Sequence, residues 1–165
     1  MALEKSAIGA RLEKGYIIRS ESGERMFLMP AQFYKAIYES LERVAGPAAK
    51  SLMYYIGVNA GRSMARDVAR VRSGESSFES LEAIGKLLEG MGIGRVVRVE
   101  KKDDKHLIIE LDNTLSEALG INGGYGCHLE RGLVAGMLSE VLGGKRVVAK
   151  QAANDKCLFE VVIGE

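Results

Sequence analysis

Apolar positions change their period several times along the chain, and each change marks an element. Tyr16-Ile17-Ile18-Arg19 and Arg25-Met26-Phe27-Leu28-Met29 are β-prone runs on either side of the polar turn Glu21-Ser22-Gly23-Glu24, so both are expected as strands. Residues 1–14, ahead of them, read as a short helix or an arm. Pro30 ends the second strand and suits the first turn of a helix. That helix is expected to reach Ala45, with Phe33, Ile37, Leu41 and Val44 on one face. After the break at Gly46-Pro47 a longer helix is expected from about Ala48 to Val71. Leu52, Tyr55, Ile56, Asn59, Met64 and Val68 fall near one stripe of it, and Arg62, Arg66, Arg70 and Arg72 mark the wetter side. Ser77 can cap a third helix, which carries Phe78, Leu81, Ile84, Leu87 and Leu88 and stops at Gly90.

Beyond Gly94 the period shortens to two. Arg95 to Lys101 alternates Val96, Val97 and Val99 with charges, and His106 to Leu111 returns after the turn Lys102-Asp103-Asp104-Lys105, which predicts a hairpin. Asp112-Asn113-Thr114 opens a short helical piece around Ser116 to Leu119. Gly123, Gly124 and Gly126 then lead into a helix near Cys127, with Leu129, Gly132, Leu133, Gly136, Met137, Glu140 and Val141 close to a helical period. Gly143-Gly144 stops it. Arg146–Lys150 and Cys157–Ile163 are two β-prone runs around Asn154-Asp155, a second hairpin. Strand pairs and helices alternate in blocks. The expected class is α+β, an antiparallel sheet built from hairpins and packed against several helices.

Two pairs of glycines sit inside helices. Glycine there costs about 1 kcal/mol against alanine, so close approach to a packed surface must compensate. For Gly132 and Gly136 the nearest candidate is the sheet of the two terminal strands, either as a wall beside a ligand cavity or as tight packing alone. For Gly57 and Gly61 the small-x-x-x-small spacing suggests a second helix, a dimer partner's among the options.

Composition narrows the class. Of 165 residues, 47% are apolar and 27% charged, and the net charge is +1; this is ordinary globular composition with no basic field aimed at nucleic acid. The size fits one domain over residues 15–165 after an arm at 1–14. No apolar run approaches the roughly 18 residues of a membrane span. Met-Ala-Leu-Glu-Lys does not read as a signal peptide, so the expected address is cytoplasmic. Gly90-Met-Gly-Ile-Gly94 follows a helix and precedes a strand, the wrong order for a dinucleotide loop. The chain holds two histidines and two cysteines. His106 opens a strand and is expected at the surface. Cys127-His128 invites a nucleophile or metal reading, yet helical neighbours point about 100° apart, and a catalytic cysteine needs its base within reach. No catalytic residue is assigned.

Several of these residues, taken in order, resemble a known family. Arg25-Met-Phe-Leu-Met-Pro30 before a helix, Gly46, Leu52-Met53-Tyr54-Tyr55-Ile56-Gly57, Gly61-Arg62, Met91-Gly92-Ile93-Gly94, Cys127, Gly132, Ala135-Gly136 and Cys157-Leu-Phe-Glu-Val look like 4-vinyl reductase domains, also called hydrocarbon-binding domains. The resemblance runs from about Gly15 onward. It implies kinship with the acyl-holding subunits of the TRAPP tethering complex and with the aromatic-sensing domains of bacterial transcription activators. It also implies a TRAPP-subunit-like fold, a buried pocket for a small hydrophobic molecule, and a homodimer.

In the phenol sensors of this group zinc is held by cysteines matching Cys127 and Cys157 and by a Glu-x-x-Cys between them. Here that stretch reads Lys150-Gln151-Ala152-Ala153-Asn154-Asp155-Lys156. The middle cysteine is absent and the carboxylate appears as Gln151, so the site looks degenerate and no cofactor is assigned. Cys127, Cys157 and His128 are the only remaining metal candidates. The two cysteines are read as core thiols that the resemblance brings close together, with a disulfide open to them under oxidation.

For the pocket, the composition offers seven methionines and six tyrosines but no tryptophan, which suits an adaptable apolar wall. The candidates are Phe33, Ile37, Met53, Tyr54, Met64, Met91, Tyr125 and Met137, with Arg62, if directed inward, meeting a carboxylate. Three functions stay open: a sensor or carrier of a hydrophobic or aromatic ligand, an accessory or enzyme of tetrapyrrole vinyl reduction, and a dimeric scaffold without ligand. The absence of a recognisable flavin or nicotinamide loop, and of an acid–base constellation, counts against a self-sufficient reductase.

Overall fold

The valine-rich alternating runs form a four-stranded antiparallel sheet in the order β4-β5-β7-β6, with β4 at Arg95–Lys101, β5 at His106–Asp112, β6 at Val147–Gln151 and β7 at Cys157–Ile163. The computed structural model describes residues 10–13, 16–19, 25–26, 30–71, 77–121, 127–153 and 156–164. Alternation sorts β5, β6 and β7 into two faces, while β4 breaks it with a register shift between Val96 and Arg98 that leaves Val97 exposed. Leu107, Ile109, Leu111, Phe159, Val161, Val147 and Ala149 are buried on one face, while Arg98, Lys150, Lys156 and Glu160 are exposed on the other. The two hairpins are joined through β5 and β7, whose register pairs Ile109 with Phe159 and Leu111 with Cys157.

One helix lies on the buried face. Helix α5, His128–Val141, is buried at every position from 132 to 139. Its inner side meets the sheet, and its outer side is covered by α2, Ala49–Val71. A helix covered on both sides has no wet face, so its hydrophobic period is weak. Helix α3, Ser77–Gly90, flanks it and sends Leu81, Ile84, Leu87 and Leu88 into the same core.

The α2–α5 contact is where the helix glycines belong. A Cβ on Gly132 would collide with the Tyr54 carbonyl oxygen and lie 3.0 Å from the Gly57 Cα. A Cβ on Gly136 would collide with the Val58 carbonyl oxygen and lie 3.0 Å from the Arg62 nitrogen. Gly57 and Gly61 face Leu129, Gly132 and Leu133 in return. The two glycine pairs therefore pack against each other. The partner expected for Gly132 and Gly136 was the terminal sheet, and the structure replaces it with α2; the partner of Gly57 and Gly61 is a helix of the same chain. Backbone-to-backbone approach requires small residues on both sides, which a sheet studded with Val and Phe does not offer.

The buried ridge of α2 is Ala49, Met53, Gly57, Gly61 and Ala65, spaced four apart. The stripe expected from Leu52, Tyr55 and Ile56 is exposed instead. Helix α1, Ala31–Ala45, joins α2 through one 3₁₀ turn, Gly46–Ala48, with Gly46 at φ 53°. It buries Tyr34 and Tyr38. Phe33 (54% exposed) and Val44 (87%) face outward, with Ile37 beside them, so the expected inward face of α1 is turned by about one residue. Tyrosine is both apolar and polar, so the sequence offered two overlapping stripes.

A short helix α4, Leu115–Ala118, is closed by a capping box: the Glu117 N–H donates to the Thr114 hydroxyl and the Thr114 N–H to the Glu117 carboxylate. Two apolar clusters result among the described residues. The larger fills the space between sheet, α5, α3 and α2. The smaller joins Tyr34, Tyr38, Met53 and Ile121, with Leu115, Leu119 and Leu129 at its edge. At the other end of the chain, β1 (Ala10–Glu13), β2 (Tyr16–Arg19) and β3 (Arg25–Met26) form a separate antiparallel sheet in the order β1-β2-β3. Residues 10–13, expected in a short helix or arm, are thus a strand, paired with β2 from Ala10↔Arg19 to Glu13↔Tyr16.

Candidate functional site

The first turn of α5 carries a polar set that the core around it does not call for. Cys127, just before the helix, takes a left-handed conformation at φ 49°. Its sulfur is bonded to Cys157 at the start of β7, with Cα atoms 5.7 Å apart. The two cysteines, expected as neighbouring core thiols with a disulfide open to them under oxidation, are cross-linked here, because β7 and the start of α5 run within disulfide reach. Thr114 Oγ1 lies 3.5 Å from the Cys157 sulfur. Among the described residues no three His, Cys, Asp or Glu side chains gather where a metal could be held. With both thiols in the cross-link, His128 has no companion ligand among the described residues.

Glu130 is wholly buried. Its Oε1 accepts a hydrogen bond from the Ser116 N–H at 2.9 Å, which ties α5 to α4. Its Oε2 is buried with no partner among the described residues. Burial pushes the carboxyl pKa up, and hydrogen bonds from Ser116 oppose that shift. The Tyr34 phenol is pushed up as well, first by burial and then by the Glu130 charge. An acid and a phenol, both moved toward their neutral forms, thus border the smaller apolar cluster.

Arg131 and His128 sit on the other side of the same turn, facing α2. The Arg131 guanidinium lies 5.0 Å from the centre of the Tyr54 ring and donates to His128 Nδ1 at 2.9 Å. The Tyr54 hydroxyl accepts from the Ala149 N–H at 3.3 Å, which fastens α2 to β6. Burial, then the Arg131 and Lys50 charges, take the His128 pKa down to about 4. His128 Nε2 and Arg131 Nε are buried without partners among the described residues. Leaving such a group unsatisfied costs about 1–3 kcal/mol.

The expected pocket residues fall into three places. Met53 and Tyr54 lie beside this turn. Met137 is buried in the larger core, and Met64 and Met91 pack at its edge. Phe33 and Ile37 are on the outer face of α1. Tyr125 lies outside the described residues. Arg62, expected to point inward, is exposed and donates to the Ser139 hydroxyl at 3.2 Å; its position on α2 is one past the buried ridge residue Gly61. An open cleft of about 380 Å³ runs between α3 and β4, lined by Leu81, Gly85, Val96 and Val99 with a charged rim including Lys86 and Glu89. None of the expected wall residues lines it.

The sequence reading passed over Glu130, Arg131, Tyr34 and Ser116. A signal for Glu130 was present: with Leu133, Met137 and Val141 it keeps a helical spacing of three or four, so the face that buries them buries a carboxylate. Nothing in the local sequence distinguished Arg131 from the exposed arginines of α2.

No sequence-family profile matches the chain, and no curated protein matches it. No helix among the described residues is long and apolar enough to cross a membrane. Solved structures do resemble it. A trafficking protein particle complex subunit 3 from Naegleria fowleri, covalently bound to palmitic acid, superposes at a TM-score of 0.54 with 21% identity, over 82% of this chain and 95% of that one. The phenol-responsive sensory domain of the transcription activator PoxR, with phenol, superposes at 0.75 with 19% identity, over 99% of this chain and 92% of that one. The chain therefore has the α+β fold shared by these two proteins.

Proposed function

We propose that this chain is a small-molecule binding module of the 4-vinyl reductase, or hydrocarbon-binding, type: a sensor or carrier that holds a hydrophobic or aromatic ligand. The observation that carries this reading is the polar set at the first turn of α5. Glu130, His128 and Arg131 keep buried polar atoms without partners among the described residues, and Glu130 borders an apolar cluster of Tyr34, Tyr38, Met53 and Ile121. A few convergent polar groups in an apolar wall are what orient a small ligand. Met53 and Tyr54 are the wall residues this reading assigns to it, Tyr125 precedes it in sequence, and Met64, Met91 and Met137 belong to the larger core or its edge. The shared fold supports the reading, since one structural relative is a phenol-responsive domain and the other carries palmitic acid.

The module works as a cytoplasmic homodimer in this proposal. Phe33, Ile37 and Val44 on α1 and Leu52, Tyr55 and Ile56 on α2 leave large apolar side chains exposed. An exposed apolar surface of this kind marks an interaction face, and a second copy is its occupant here.

Native mass spectrometry of the purified protein, repeated after denaturation, tests both parts. A dimer that sheds a small organic mass on denaturation is expected. The reading fails if the chain carries no added mass and neither phenol nor palmitate raises its melting temperature, as a ligand of the folded state must.

A further inference from the structure

At the start of α5 the charges do not balance. Arg131 is a half-buried cation, and among the described residues no carboxylate pairs with it: its contacts are the Tyr54 ring and His128 Nδ1. Glu130, its neighbour in sequence, bonds Ser116 instead. An arginine N–H can only donate, so His128 Nδ1 is the acceptor, and the proton of the neutral ring sits on Nε2. Both buried orphans here, His128 Nε2–H and Arg131 Nε–H, are therefore donors. The Lys50 ammonium is within electrostatic reach of the same imidazole, and the N-terminal end of α5 adds partial positive charge. The two orphaned donors and the Arg131 guanidinium charge point to one missing partner, an acceptor that carries negative charge.

We propose that Arg131 and His128, with Tyr54 beneath the guanidinium, form the head-group site for an organic monocarboxylate whose apolar tail packs against the Tyr54 side of α2. This inference rests on the small-molecule reading and narrows its ligand class. A carboxylate fits better than a phosphate for two reasons. The planar guanidinium fork matches a planar carboxylate in two parallel hydrogen bonds. A single arginine among aromatic and apolar side chains neutralises one charge, whereas a phosphate brings nearly two. Both Arg131 and His128 are only partly buried, so the head group approaches from solvent and meets the dry donors behind. The arginine that reads the acid is thus Arg131, in place of the outward-facing Arg62.

Calorimetric titration with octanoate, octan-1-ol, acetate and inorganic phosphate tests the site. Octanoate is expected to bind at least about tenfold more tightly than octan-1-ol. Arg131→Gln is expected to erase that preference while leaving octan-1-ol within about twofold, and Arg131→Lys, which keeps the charge but not the fork, to retain part of it. Equal affinity for acid and alcohol in the wild-type protein, or a preference that survives Arg131→Gln in a variant with an unchanged melting curve, overturns the head-group site and leaves the small-molecule reading standing. Acetate or phosphate binding as tightly as octanoate overturns the tail. Binding by none of the probes overturns the head-group site, and the small-molecule reading falls with it if phenol and palmitate also leave the melting temperature unmoved.

Discussion

Helix α2 has two apolar sides, and the bulkier one is outside. Ala49, Met53, Gly57, Gly61 and Ala65 face α5 and are buried, while Leu52, Tyr55 and Ile56 face away, with Tyr55 63% exposed. If burial followed residue hydrophobicity alone, the two sides would be reversed. The inner side is chosen by distance. The backbones of α2 and α5 approach so closely that glycine is the only residue that fits at four positions, and that approach lets α2 and the sheet cover α5 from both sides. Dispersion contacts between backbone atoms replace those that large side chains would make. The outer side keeps its large residues for a surface still to be covered, which a second copy of the chain supplies in the present reading.

Breaking the inner side should have the largest effect. Gly136→Leu places a side chain against the Val58 carbonyl and the Arg62 nitrogen, where backbone on both sides prevents relaxation. A loss above about 3 kcal/mol, or no folded protein, is expected. Chemical denaturation of this variant beside Gly85→Leu is the check, since at Gly85 the nearest neighbours are Val96 side-chain atoms that can move. Similar losses in the two variants would sink the account of the α2–α5 contact.

The cross-link comes next. Cys127 and Cys157 close a loop with a sequence separation of 30, for which chain entropy gives about 3–4 kcal/mol. Cys127→Ala/Cys157→Ala should lower stability by that order, and dithiothreitol should lower the wild-type melting temperature while leaving the double variant unmoved. A wild-type protein indifferent to reductant would mean that the bond does not form in solution.

A smaller effect, with a defined sign, is expected at Glu130. Its folded pKa is raised above 4.5, chiefly by burial, so the folded state holds the proton that the unfolded chain releases. Stability contributed this way is complete below the unfolded pKa and declines as pH rises toward the folded one. Glu130→Gln keeps the acceptor for the Ser116 N–H and removes the ionisation. The variant should therefore melt higher than wild type at pH 8 and converge with it near pH 4. Parallel melting-temperature profiles across that range would show that Glu130 is not desolvated as described.

The outer side should respond least in stability and most in assembly. Ile37→Ser/Ile56→Ser is expected to change monomer stability by no more than about 0.5 kcal/mol and to convert the proposed dimer to a monomer by light scattering. A dimer that persists would place the interface elsewhere.

Much of this architecture was set by local chemistry. Both hairpins of the large sheet, the α+β class, the stop of α3 at Gly90 and the span Cys157–Ile163 follow from alternation and from turn and cap residues, which act within a few positions. The four helix glycines announced a close contact, because glycine inside a helix needs a reason. What they approach was decided only by tertiary structure, since a sequence records that a residue is small and not which backbone comes near it. The same holds for α1, where Phe33 and Tyr34 begin two equally regular stripes and the position of α2 and α4 selects the tyrosines. It holds most strongly at the site. Glu130, Arg131, Tyr54 and Ser116 gain their meaning from burial and from the pairing or non-pairing of their polar atoms, and those properties exist only once α1, α2, α4 and α5 have met.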